Sequence, residues 1–295
     1  MLKHLVIGMG SIGKRHYRLL KEVGEDVIGI DKPTINPETM NIPSWNNYDM
    51  VWICTPTKTH FHYAMEAIKQ GKKVFIEKPL TADLEEAEQI KNAMDTHNNH
   101  KVWVACNYRF HPAVKTLKEN FQRVGDILYS NIHYSHYLPY QRENWKEYIK
   151  DTDIIKDAGW HFIDLALWLF GKKNSKPDFK IVKEIELGIT DKTSVFFEHV
   201  TKVYTQIDID YLRRDKSWGI EVVGDNGSIE LISKGEKPCH IELKRYYDGE
   251  GVDCFTPTWT LFDNDEMYRN QLDCLLKENW QSNINEAIEV MKICA

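Results

Sequence analysis

The sequence predicts an α/β protein in two parts, a doubly wound parallel sheet followed by a strand-rich α+β half. Three observations predict it. Short apolar runs alternate with amphipathic helical stretches over roughly the first 105 residues. The first run turns directly into Gly8-Met9-Gly10-Ser11-Ile12-Gly13. From about residue 178 to 247 the pattern changes to the period-two alternation of sheet strands.

Each element follows from local chemistry. Leu5-Val6-Ile7 reads as a buried parallel strand. Behind the glycine turn, Ile12, Leu19, Leu20 and Val23 interleave with Lys14, Arg15, Arg18, Lys21 and Glu22, as in a half-buried helix. Val27-Ile28-Gly29-Ile30 is a second strand and ends on Asp31. Residues 32–48, with Pro33, Pro37 and Pro43, read as a compact connection. A third strand over 49–54 leads to a helix over about 58–70, with Phe61, Ala64, Met65 and Ile68 on its inner face and Gly71 as its stop. Lys73–Ile76 is a fourth strand, Asp83 caps a helix to about Asp95, and Val102–Ala105 is a fifth strand. Further on we expect a helix near 112–122, a strand over 127–137 and a strongly apolar helix over 157–170. In Val203–Tyr211 the odd positions are mainly apolar, which predicts an antiparallel strand with one buried face and one left for solvent or a partner subunit. Gly224-Asp225-Asn226-Gly227 predicts a hairpin turn, and helices near 262–277 and 284–294 close the chain.

Composition excludes several classes. With 42% hydrophobic residues, 295 positions suffice for a proper core, and a mean hydropathy of −0.50 with no long apolar run argues against a membrane protein. The net charge of −6 gives no reason to expect nucleic acid as a partner. The N-terminus has no basic-then-apolar leader, so we expect a cytoplasmic protein. Six widely spaced cysteines without a C-x-x-C pair read as free thiols, and no His/Cys cluster has the spacing of a metal site.

The glycine turn carries the first chemical hypothesis, binding of a dinucleotide. Gly8 makes the tight turn, Gly10 admits a pyrophosphate and Gly13 lets the helix pack on the strand, while the helix N-terminus offers N–H groups to phosphate. Asp31 follows Gly13 by 18 residues, where a carboxylate binds the adenosine ribose and repels a 2′-phosphate, favouring NAD over NADP. Ligands gather at the carboxyl ends of parallel strands, and Thr55–His60, Glu77–Pro79 and Asn107–Arg109 fall at such ends. Lys78 is locked between Glu77 and Pro79 at a strand end, but taken alone it reads as a surface lysine. Asp157 and His161 are four apart, hence on one helix face, and Asp164 follows on that side. An imidazole beside a carboxylate in an apolar helix is used chemically or is a satisfied core histidine; spacing does not choose. Tyr134–Lys150, with Tyr137, Tyr140, Arg142, Trp145 and Tyr148, reads equally as a pocket for sugar hydroxyls or phosphates or as core or interface.

Together these motifs resemble the glucose-fructose oxidoreductase/inositol dehydrogenase (Gfo/Idh/MocA) family. The matching residues are Gly8–Gly13, Thr55-Pro56 with His60, Glu77-Lys78-Pro79, Asn107-Tyr108-Arg109 and Asp157–Asp164 in a D-x-G-x-H-x-x-D pattern. The resemblance implies an NAD-binding Rossmann domain over 1–108. It further implies an α+β domain over 109–295, with an open, mostly antiparallel sheet that forms a homodimer or homotetramer interface, the last helix packing back on the first domain. It implies hydride transfer between nicotinamide and a secondary alcohol or ketone of a sugar, cyclitol or nucleotide sugar. Lys78 would polarise the reacting oxygen, His161 would accept its proton and Asp157 would orient His161, with a cis bond between Lys78 and Pro79. Gly8, Gly10, Ser11, Ile12, Gly13, Asp31, Thr55, Pro56, His60, Glu77, Lys78 and Asn107 would bind the cofactor; Arg109, Trp145 and Trp160 would meet the substrate. Ile155-Lys156 depart from the glycines that often precede the family's aspartate. Two rival functions share the framework: an NAD-dependent glycosidase, and a non-catalytic sensor of NAD or sugar.

Overall fold

The computed structural model describes residues 2–31, 44–141, 143–148, 153–174, 178–234, 239–247, 251–255, 265–277 and 281–295. The chain forms two compact units, Met1–Cys106 with Tyr268–Ile293 and Ala295, and Asn107–Met267 with Cys294. Most of the connection expected over 32–48, together with Arg142, lies outside the described residues.

In the first unit, β1 (Lys3–Ile7), β2 (Asp26–Ile30), β3 (Met50–Ile53), β4 (Lys73–Ile76) and β5 (Val102–Val104) form an all-parallel sheet in the order β2-β1-β3-β4-β5. Helices α1 (Ser11–Glu22), α2 (His60–Lys69) and α3 (Leu84–Thr96) make the crossovers. The central strands are covered on both faces, which is why Leu5, Val6, Val51 and Trp52 form uninterrupted apolar runs. Asp83 caps α3 by accepting from the Glu86 N–H at 2.9 Å. The inner face of α2 differs from expectation. It buries His60, Tyr63, Ala64, Ala67 and Ile68, while Phe61 and Met65 stay half-buried. The Tyr63 ring supplies apolar area that a count of aliphatic positions overlooks.

The second unit holds α4 (Pro112–Glu119), β6 (Ile127–Ser135), the short turns α5 (Leu138–Gln141) and α6 (Trp145–Tyr148), and α7 (Trp160–Phe170). Strands β7 (Phe179–Lys183), β8 (Lys192–Glu198), β9 (Tyr204–Asp210), β10 (Ser217–Gly224), β11 (Gly227–Lys234), β12 (His240–Tyr247) and β13 (Gly251–Phe255) follow. With β6 they form one open sheet in the order β13-β12-β11-β10-β6-β9-β8-β7. β13 was not anticipated from the sequence. Every pairing is antiparallel except β6 with β9. This corrects the reading of β9 as purely antiparallel. The crossover through α7 starts β7 in the direction of β6, and two hairpin reversals return β9 parallel to it. The alternation itself stands: Thr205, Ile207 and Ile209 are buried, and Tyr204, Gln206, Asp208 and Asp210 face outward. Gly224 pairs with Gly227 across the expected two-residue turn.

The C-terminal helices are α8 (Glu266–Leu276) and α9 (Ile284–Cys294). The residue before α9, Asn283, donates to the Val104 carbonyl at 2.9 Å and accepts from its N–H at 2.8 Å. Its amide thus takes the place of a further strand on the exposed edge of β5. Among the described residues no helix is long and apolar enough to cross a membrane. Cys54 and Cys239 are buried free thiols, and Cys106 and Cys294 are buried as well.

Candidate active site

The first unit builds an open glycine turn between β1 and α1. Gly8 has φ +92°, and a Cβ there would stand 2.7 Å from the Cys54 carbonyl. A Cβ on Gly13 would meet the Gly8 carbonyl oxygen at 1.8 Å, so helix and turn fit only with glycine at both positions. Gly10 is different, since a Cβ there would have nothing within 4 Å. The open side of the turn is therefore where a ligand can approach the backbone, at the uncapped N-terminus of α1, whose first turn carries no acid. Asp31 is exposed at the end of β2 and accepts from the Met9 N–H at 3.3 Å. These features fit a dinucleotide: a glycine cradle for phosphates and a carboxylate at the ribose position.

The ends of β3 and β4 are tied together from inside. His60 is 1% exposed, and its Nδ1 and Nε2 lie 2.9 Å from the Pro79 carbonyl and 2.8 Å from the Thr55 carbonyl. Burial lowers its pKa, against the pull of those carbonyls. Both ring nitrogens of His60 are therefore taken up by backbone carbonyls, which ties the loop after β3 to the loop after β4. Thr55 Oγ1 accepts from Thr59 at 2.8 Å, while Pro56 is exposed at the loop tip. Glu77 is likewise internal at 8% exposure, with Oε1 2.7 Å from His16 Nε2 and Oε2 accepting from the Lys78 N–H at 3.2 Å. Burial opposes its ionisation, but the His16 hydrogen bond and the Lys78 charge outweigh this and hold its pKa below the ordinary value. Lys78 is half-buried, and the Lys78–Pro79 bond is cis.

In the second unit, α7 is entered through a π-helical turn, Ile155–Gly159. Asp157 thus stands on a wider turn than the α-helical spacing assumed, a distortion often found at functional sites. Its Oδ2 accepts from the hydroxyl of Tyr211 at 2.8 Å. Tyr211 is buried just past β9, with its ring 4.8 Å from that of His136. His161 is half-buried, and its ring centroid lies 5.2 Å from Tyr108. Tyr108 in turn packs 5.1 Å from Phe162 and 5.5 Å from Trp218. A carboxylate fixed by a tyrosine and a partly open imidazole on an aromatic floor form an arrangement able to move a proton.

Two of the three residues expected at the substrate, Arg109 and Trp160, are buried. Arg109 is 7% exposed, and its guanidinium is bidentate on Asp164, with Nε to Oδ2 at 2.8 Å and Nη2 bonded to Oδ1. The pair joins the turn Asn107–Phe110 to α7, so Asp164 faces Arg109. Trp160 is 2% exposed and packs as core. Asn107 is also buried, with Nδ2 3.3 Å from Met267 Sδ. Trp145 is half-buried, with Lys146 Nζ 5.6 Å from its ring. Sequence reasoning missed His16, Tyr211 and Trp218. Each reaches its partner across a long stretch of chain, and only the end of the alternating β9 pattern hinted at Tyr211.

A sheet and turn of this kind define a dinucleotide-binding protein of the Rossmann type. Residues 2–106 match the family described as "Oxidoreductase family, NAD-binding Rossmann fold", and residues 115–230 match the GFO/IDH/MocA C-terminal domain. The chain belongs to the Gfo/Idh/MocA oxidoreductase family. It is 28% identical over 259 residues to inositol 2-dehydrogenase of Acidothermus cellulolyticus, covering 78% of this chain and 72% of that protein. Glucose-6-phosphate 3-dehydrogenase of Bacillus subtilis is 24% identical, over 98% of this chain and 91% of its own length. In fold it is similar to an oxidoreductase from Agrobacterium radiobacter solved with NAD+, L-tartaric acid and magnesium. That likeness has a TM-score of 0.81 at 15% identity, over 99% of this chain and 94% of that one.

Proposed function

We propose that the protein is an NAD-dependent dehydrogenase or reductase acting on a secondary alcohol or ketone of a sugar, cyclitol or nucleotide sugar. The observation that carries this reading is the half-open imidazole of His161 in the same short segment as a carboxylate, Asp157, locked by the Tyr211 hydroxyl. Two relatives named for inositol and for glucose 6-phosphate support this substrate range.

Nicotinamide, when bound, supplies the hydride chemistry. The chain supplies the proton chemistry and the positioning. His161 takes the hydroxyl proton during oxidation and returns it during reduction, a role worth roughly 10²–10⁴-fold. Asp157 orients the ring and stabilises its protonated form, and Tyr211 keeps Asp157 in place. The Lys78 ammonium stabilises negative charge developing on the substrate oxygen. Glu77 anchors the Lys78 backbone, and His60 ties the Thr55 and Pro79 loops together. Gly8, Gly10, Ser11, Ile12 and Gly13 hold the phosphates, with Asp31 on the ribose selecting NAD. Thr55, Pro56 and Asn107 shape the nicotinamide side, and Trp145 offers a platform to the sugar. Arg109 and Trp160 serve by packing. Two or four copies associate through the open sheet face, where Tyr204 is 52% exposed.

The test is the rate of NADH formation against polyols, aldoses, uronic acids and nucleotide sugars, with NAD and NADP in parallel. We expect turnover with at least one class and faster rates with NAD. Hydrolysis of a glycoside without net NADH, or NADH binding without any turnover, would replace this reading.

A further inference from the structure

The loop between β9 and β10 delivers a cation to which the mechanism gives no role. Lys216 directly precedes β10 and is half-buried. Its Nζ stands 5.9 Å from the centroid of the Tyr134 ring. Tyr134 packs 5.0 Å from Phe162, the residue after His161. Trp218, two residues beyond Lys216, touches Tyr108, which stacks beside His161. Lys216 thus borders the aromatic floor under His161, within a single compact unit.

Several cations of the same unit are neutralised. Arg109 holds Asp164, Lys156 sits 3.8 Å from Asp153, and Arg214 is bonded to Glu186 at 2.6 Å while lying over the Tyr137 ring. Lys216 has no hydrogen bond and no ion pair among the described residues. Burial lowers its pKa, and no carboxylate offsets the effect. An ammonium drawn partly out of water without a counter-charge is costly. Beside the Tyr134 ring and partly out of water, the same charge attracts an anion more strongly than it would in open water.

We propose that Lys216 recognises an anionic group on the substrate, a phosphate or a uronic carboxylate, beside His161. This rests on the dehydrogenase reading above and narrows its substrates to charged sugars. Lysine meets such a group as a point charge, so it accepts either anion without demanding bidentate geometry.

The experiment compares wild type with Lys216→Met and Lys216→Arg on four probes: glucose phosphate, glucuronate, glucose and myo-inositol. Initial rates with NAD and calorimetric binding to the NADH-loaded protein are both measured. Lys216→Met is expected to lower kcat/KM and affinity for the charged probes about 10- to 100-fold, mainly through KM, the size of a charge-assisted hydrogen bond. Lys216→Arg should keep most of that affinity, and the neutral probes should move little. Equal losses on neutral and charged probes, or charged probes bound as tightly by Lys216→Met as by wild type, would overturn the proposal. Lys216-dependent anion binding without turnover of any probe would support the anion site and remove the dehydrogenase reading instead. Turnover of neutral probes with no preference for anions would do the reverse.

Discussion

Breaking the Arg109–Asp164 pair should destabilise the second unit without weakening substrate binding. Both side chains are nearly excluded from water, at 8% and 5% exposure, and the contact is bidentate. Removing one partner leaves a buried charge uncompensated, which costs about 3–5 kcal/mol, a large share of the roughly 5–15 kcal/mol that holds a domain together. For a unit of this size each kcal/mol lowers the melting midpoint by about 2–4 °C, so Arg109→Met should melt roughly 6–20 °C below wild type. Replacing both partners with apolar residues, Arg109→Met with Asp164→Leu, should recover most of the loss, because no charge is left stranded. The assay is a circular-dichroism melt of the wild type, the two single variants and the double variant, with KM measured well below every transition. An unchanged midpoint with a raised KM in Arg109→Met would refute the argument and make Arg109 a substrate ligand. A double variant as unstable as the singles would show that shape, and not charge pairing, sets the cost.

Three further outcomes follow from named contacts. His161→Ala should lower turnover at least about 100-fold while calorimetric NADH binding persists; unchanged kcat would remove His161 from the mechanism. Asp31→Ser should narrow the preference for NAD over NADP in parallel kcat/KM measurements, and an unaltered ratio would dismiss the ribose argument. His111 caps α4 by accepting the Ala113 N–H on Nδ1 at 3.2 Å, and burial lowers its pKa to about 4. Its unfolded value is near 6.5, so between the two the unfolded chain binds a proton that the folded one refuses. Stability is then full above about pH 6.5 and falls toward pH 4, by about 3 kcal/mol at most. His111→Asn keeps a cap that does not titrate, so urea unfolding at about pH 7 and about pH 4.5 should show a flatter dependence; an identical slope would assign the loss to other groups.

Much of the first unit was legible because its rules are local. A buried parallel strand needs a continuous apolar run, and the turn needs glycine where a Cβ would strike Cys54 or Gly8. The alternation of β9 and the Gly224–Gly227 turn were legible for the same reason. Contacts between distant segments were not. Asp164 was read beside His161 by spacing, yet it faces Arg109, 55 residues away. Tyr211 reaches Asp157 across 54 positions, and the parallel pairing of β6 with β9 depends on a crossover that no local pattern encodes. His60 and Glu77 carry motif signals but point inward, since a residue type at a strand end does not say which way its side chain turns. The π turn at Ile155–Gly159 falls where Ile155-Lys156 break the family's glycine pattern.

The most direct test of the central claim follows the hydrogen itself. The best alcohol from the substrate survey, deuterated on its carbinol carbon, is turned over with NAD, and the reduced cofactor is weighed by mass spectrometry. One deuterium is expected in each NADH formed, with a yield per unit time that collapses in His161→Ala. NADH without label, or label released to water while substrate is consumed, would contradict hydride transfer as the reaction of this protein.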